Sequence, residues 1–130
     1  MELLLYFKTV DQNTARFQQR FTAGLTGQTL KVIHSIEQLT DRFRRPFTCR
    51  GATVAVLFPA DQRDLADLVA IKDLLEGLRI ILVLPDSYKE TISAGHRLRP
   101  RYITFAGGNL DDVISVLEKI SVKSITHFEN

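Results

Sequence analysis

Cysteine is almost missing from this chain: Cys49 is the single one among 130 residues. One thiol cannot close an internal disulfide, which excludes a disulfide-stapled secreted fold. Cys49 sits in TCRG with no base beside it, so it reads as a structural thiol and not as a nucleophile. Long apolar runs are missing as well, since none approaches the ~20 residues that cross a bilayer. The opening MELLLYF is too short for the apolar core of a signal peptide and lacks its basic start and small-residue cleavage site. The expectation is therefore a soluble, cytoplasmic protein without membrane contact. Neither sign of charge dominates: 17 Lys and Arg against 15 Asp and Glu leave a formal net charge of +2. That mild excess does not require a polyanion partner. Low-complexity tracts, linkers and internal repeats are also lacking, and 130 residues suit a single domain. Such a chain buries roughly two-thirds of its unfolded surface, enough for a real core.

What the chain does contain is a regular alternation of short apolar runs with helical patterns. ELLLYF (2–7) reads as the first strand, followed by a helix opened by Asn13 with a stripe of Phe17, Phe21 and Leu25. TLKVIH (29–34) is a second strand. Ser35 and Gln38 then form a capping box for a helix with Ile36, Leu39 and Phe43 on its buried face, stopped by Pro46. ATVAVLF (52–58) and LRIILVL (78–84) are nearly continuous in apolar residues, as expected of central parallel strands covered on both faces. Between them Asp61 caps a helix carrying Leu65, Leu68, Val69, Ile71, Leu74 and Leu75, closed by Gly77. Ser87 and Glu90 read as another capping box, for a weaker helix over 88–98 interrupted by Gly95. RYITF (101–105) is the fifth strand. Asn109 caps a last helix with Leu110, Val113, Ile114, Leu117 and Ile120 on its core face. Five such units predict an α/β, flavodoxin-like three-layer sandwich around a five-stranded parallel sheet of order 2-1-3-4-5, as one domain over 1–130.

In such a sheet chemistry belongs at the carboxyl edge of the strands. Residues available to a crevice there are Lys8, His34, Asp61, Asp86 and the glycines Gly107 and Gly108 of FAGGN. Asp11, Asp61 and Asp86 offer oxygen ligands of the kind Mg²⁺ takes, but Asp11 and Asp61 precede helices and read first as caps. The backbone amides of Gly107 and Gly108 can cradle a phosphate, yet FAGGN matches neither the dinucleotide fingerprint nor the P-loop, and Asp111 and Asp112 repel an anion. His34, His96 and His127 lie at no metal spacing, and no serine stands in a nucleophile elbow. The residues therefore give no reason to expect a catalytic set, a metal or a cofactor. Arg97, Arg99 and Arg101 form one basic group and Arg42, Arg44, Arg45 and Arg50 another. Without interleaved exposed aromatics or a recognition helix they point to solvated charge or a protein contact before nucleic acid.

The order and length of the units, with RYITFAGGNLDDVISVLEKI (101–120) as the best local match, resemble the receiver domain of bacterial response regulators. The resemblance covers nearly the whole chain, and Tyr102 stands at the family's aromatic position on the last strand. It implies an aspartyl nucleophile ending strand three, two acids after strand one for Mg²⁺, a Ser or Thr ending strand four and a lysine ending strand five. This sequence places Phe58 or Pro59, Lys8 and Thr9, Leu84 and Pro85, and Phe105 with Ala106 at those positions. Phosphorylation by the family's mechanism is therefore not expected. The resemblance implies a pseudo-receiver: a signalling domain that presents its fourth helix, fifth strand and fifth helix to a protein partner or to a second copy. Arg97, Arg99, Tyr102, Lys119 and Lys123 are the candidates on that face. A small-ligand or enzymatic domain using the carboxyl-edge crevice is the alternative.

Overall fold

A computed structural model of the chain describes residues 2–8, 15–19, 29–44, 53–106, 112, 113 and 115. The elements among them are β1 (Glu2–Phe7), β2 (Thr29–Ile33), α1 (Ile36–Arg44), β3 (Thr53–Phe58), α2 (Gln62–Ala70), β4 (Arg79–Leu84), α3 (Lys89–His96) and β5 (Tyr102–Phe105). Residues 15–19 and 112–113 are also helical. The strands form one five-stranded, wholly parallel sheet in the order β2-β1-β3-β4-β5, so this is a flavodoxin-like α/β fold of the expected winding. Strand ends differ from the sequence reading by a residue at most.

The period-two alternation of a strand divides the core in two. Leu4, Tyr6, Ala55, Leu57, Leu82 and Leu84 face the side covered by α1, α2 and α3, where Leu39, Phe43, Leu65 and Leu68 meet them. Leu3, Leu5, Phe7, Val54, Val56 and Phe58 face the other side, against Phe17 and Val113. Every residue of β3 is buried, as is every residue of β4 except Arg79. That explains why these strands read as unbroken apolar runs. Each fully buried Leu or Val contributes about 1.5–3 kcal/mol.

The helix starts follow local hydrogen-bond chemistry. At α1, Ser35 Oγ accepts from the Gln38 backbone N–H at 3.1 Å, and Gln38 Oε1 accepts from the His34 N–H at 3.1 Å. This is the expected capping box, shifted by one residue on its return bond. At α3 the expected pair does not form. The N-cap is Tyr88, which makes no side-chain capping bond. Asp86 Oδ1 instead accepts from the Tyr88 N–H at 3.0 Å, and this Asx turn carries the chain one residue past Ser87 before the helix begins. Gly95 does not interrupt α3. A Cβ there would lie 2.9 Å from Leu82 Cδ2, so the missing side chain lets the helix approach β4 closely.

Among the described residues two take left-handed backbone. After α2 the chain tightens into i→i−3 bonds, Ile71 N–H to Leu68 O at 3.1 Å and Leu74 N–H to Ile71 O at 2.9 Å. This sets Leu68, Ile71 and Leu74 in one row along the core. Gly77, at φ 90°, then turns the chain into β4. Arg99 is held at φ 51° between α3 and β5, a conformation that costs an ordinary residue about 1–2 kcal/mol. The two positions predict opposite responses. Gly77→Ala lowers stability by about 1 kcal/mol, whereas Arg99→Gly leaves it unchanged or raises it. Urea denaturation midpoints measure both.

Candidate functional site

Parallel strands deliver the residues that follow them to one edge of the sheet. Lys8 follows β1, His34 follows β2, Asp61 lies beyond β3, and Asp86 lies beyond β4. Lys8 and Asp61 are exposed, and Asp86 is half-buried. Asp61 Oδ1 accepts from the Asp64 N–H at 2.8 Å, which makes it the N-cap of α2. Asp86 closes the Asx turn. His34 Nδ1 lies 3.2 Å from the Phe7 carbonyl oxygen, so that nitrogen carries the proton, and the ring stands edge-on to Phe7 at 4.7 Å. All three polar side chains thus have structural partners within their own loops or neighbouring strand. Gly107, Gly108 and Asp11 fall outside the described residues.

A buried polar contact at this edge joins two residues that the sequence reading did not single out. Tyr6 is fully buried near the end of β1, and Asp64, in the first turn of α2, is 1 % exposed. The Tyr6 hydroxyl donates to Asp64 Oδ1 at 2.7 Å. Asp64 Oδ2 accepts from the Ala60 N–H at 2.9 Å. Asp64 occupies the helical position that Gln38 holds in α1, and its carboxylate reaches back in the same way to the N–H before the N-cap. Here the device is buried, and its second oxygen holds β1. A first-turn carboxylate also suits the positive end of the helix dipole. Burial pushes the Tyr6 phenol well above its ordinary range, helped by its bond to Asp64 and by the negative charges of Asp64 and Asp67. The available signal was a lone hydroxyl in the aliphatic strand ELLLYF together with the Asp-x-x-Asp spacing at 61 and 64, because a buried phenol needs a partner.

The end of the central strand is apolar. Phe58 is 6 % exposed, and Pro59 is buried. The Phe58 ring meets Phe17 in a tilted edge contact, with centroids 5.0 Å apart. Among the described residues Asp64 is the one buried acid, and no group of three or more His, Cys, Asp or Glu side chains could hold a metal ion.

The opposite, amino edge carries a different surface. A cleft of about 310 Å³ opens between the turn after α2 and the exit of α3, lined by Lys72, Asp73, Glu76, Leu98, Arg97 and Arg99 among others. Arg97 and Arg99 are exposed there, while Tyr102 is half-buried on β5; Lys119 and Lys123 fall outside the described residues. A second cleft of about 240 Å³ runs beside β2 and includes Lys31, Gln38, Asp41 and Arg42. No helix among the described residues is long and apolar enough to cross a membrane. Comparison of the chain with family models, with curated proteins and with solved structures finds no match.

The Tyr6–Asp64 bond has a measurable pH signature. The folded state holds the phenol proton more tightly than the unfolded state does. Its contribution is therefore complete below the unfolded phenol value near ~10 and is lost as pH rises from there through the folded value. Wild-type stability should fall above that pH, by up to about 1.4 kcal/mol per pH unit from this group. Tyr6→Phe should cost about 2 kcal/mol at neutral pH, because Asp64 Oδ1 loses its donor. The wild-type-minus-variant difference should then shrink as alkali is added. Urea denaturation of both proteins from neutral pH to strong alkali checks this.

Proposed function

We propose that this chain is a phosphorylation-independent signalling domain of pseudo-receiver type that works by binding protein. The observation that carries this reading is the chemistry at the carboxyl end of β3. Aspartyl phosphotransfer needs an accessible carboxylate there, with acids for Mg²⁺ and a cation for the phosphoryl oxygens. Phe58 and Pro59 are buried at that place, and the nearby buried acid, Asp64, is bonded to Tyr6 and to the Ala60 amide. Lys8 stands where an acid would be needed, and Phe105 stands where the lysine would be.

The surface left for function is then the side of the sheet around α3 and β5. All four residues of β5 are half-buried at the sheet edge, and Ile92, Ile103 and Phe105 pack only partly into the core. Tyr88, at the start of α3, is 65 % exposed and is the large apolar side chain standing out among the described residues. Aromatic and aliphatic groups of this kind suit the centre of a protein interface. A protein partner or a second copy of the chain is the occupant this reading supplies.

Acetyl phosphate with Mg²⁺ tests the proposal. The intact mass of the protein should be unchanged after incubation. A stoichiometric, base-labile phosphate adduct would refute the reading and revive a reactive carboxyl edge.

A further inference from the structure

The cleft at the amino edge lies at the opposite end of the strands from the carboxyl-edge residues, where the chain leaves α3 on its way into β5. Its walls are the tightened turn after α2 and the segment that leaves α3. Lys72, Arg97 and Arg99 line it and are exposed, and none of the three has an ion-pair partner among the described residues, although Asp73 lines the same cleft. Between the two arginines Leu98 is buried, 5 % exposed, and anchors the chain so that its neighbours emerge on either side of a fixed point. Arg99 itself holds a left-handed φ of 51°, directly before Pro100. A glycine would take that backbone without strain, and a proline that follows restricts it further. The chain keeps an arginine at this strained backbone position, as residues that serve binding often are.

From these features we infer that the cleft is a docking site for an acidic peptide segment of a partner protein. Arg97 and Arg99 would grip its carboxylates, which guanidinium forks receive through paired hydrogen bonds. The inference rests on the interaction-domain reading and names the chemistry of one partner. Asp73 favours a peptide over nucleic acid: it stands in the same cleft, where a continuous phosphate backbone would meet its charge, whereas a peptide can turn a backbone N–H group toward it. The volume of about 310 Å³ also suits a few side chains and not a duplex. Because the arginines are exposed, part of the attraction is screened by salt.

Selection of short random peptides displayed on phage, against the immobilised full chain at low salt, tests this. Acidic peptides should be enriched. Affinity of the best synthetic peptide should fall roughly tenfold or more in the Arg97→Glu/Arg99→Glu variant, and should fall as salt is added. Asp73→Asn should tighten it. Arg99→Gly supplies the control for folding: it removes the guanidinium and eases the backbone, so it should bind less well while melting no earlier than wild type. No enrichment of acidic peptides, or acidic binders indifferent to both arginine variants, would overturn the inference. So would an oligonucleotide that outcompetes the peptides with the same arginine dependence. Neutral peptides that bind independently of Arg97 and Arg99 would remove the cleft yet keep the interaction-domain reading, whereas a phosphate adduct from acetyl phosphate would remove that reading itself.

Discussion

A carboxylate buried against a phenol inside an apolar layer is costly unless both of its oxygens are used, and in this fold both are. Asp64 accepts from the Tyr6 hydroxyl on one side and from the Ala60 amide on the other, so one side chain holds β1, the loop leaving β3 and the start of α2 in a single arrangement. The bond spans 58 positions of sequence, and β1 and β3 are central neighbours in the sheet. With Asp61 capping the same helix turn, the carboxyl edge of the central strands is built as a joint. Removing one partner leaves the other buried and unsatisfied, which is why the pair is specific as well as stabilising.

That joint explains why the edge where such sheets commonly bind ligands carries so little free chemistry in its described part. The acid that is buried belongs to the joint, Asp86 belongs to its turn, and the tip of β3 is filled by Phe58 and Pro59. At the other edge Lys72, Arg97 and Arg99, which have no ion-pair partner among the described residues, line a cleft together with Asp73 and Glu76. Among the described residues the two ends of the same strands thus differ: Asp61, Asp64 and Asp86 are bonded within the fold at one, and exposed charged side chains line a cleft at the other.

Strand order is legible in the amino-acid pattern because strands buried on both faces have nowhere to place polar residues, and β3 and β4 appear as unbroken apolar runs for that reason. The cap of α1 is legible because Ser35 and Gln38 act within one helical turn. What escapes are contacts that local spacing cannot encode. The Tyr6–Asp64 bond depends on two elements meeting in space. The start of α3 departs from its capping-box pattern because Asp86 competes with Ser87 for the chain, and a local bond to Tyr88 wins. The left-handed turn at Arg99 is invisible in the sequence because nothing in the residue type announces it. Of the candidate crevice residues, the order along the sheet is readable, but their commitment to caps and turns is only partly so.

The account depends on the carboxyl edge being structural and not a binding site. Thermal melts of wild type, Asp61→Asn and Asp86→Asn, each with and without Mg²⁺, inorganic phosphate and nucleotides, test this most directly. A ligand that binds only the folded state at a hundredfold excess over its Kd stabilises by about 2.7 kcal/mol, a shift of several degrees for a domain of this size. The predicted result is no ligand-dependent shift in wild type, with each Asn variant melting only slightly earlier, by the loss of about 1 kcal/mol or less of capping energy. A shift of several degrees in wild type that both Asn variants abolish would contradict the account.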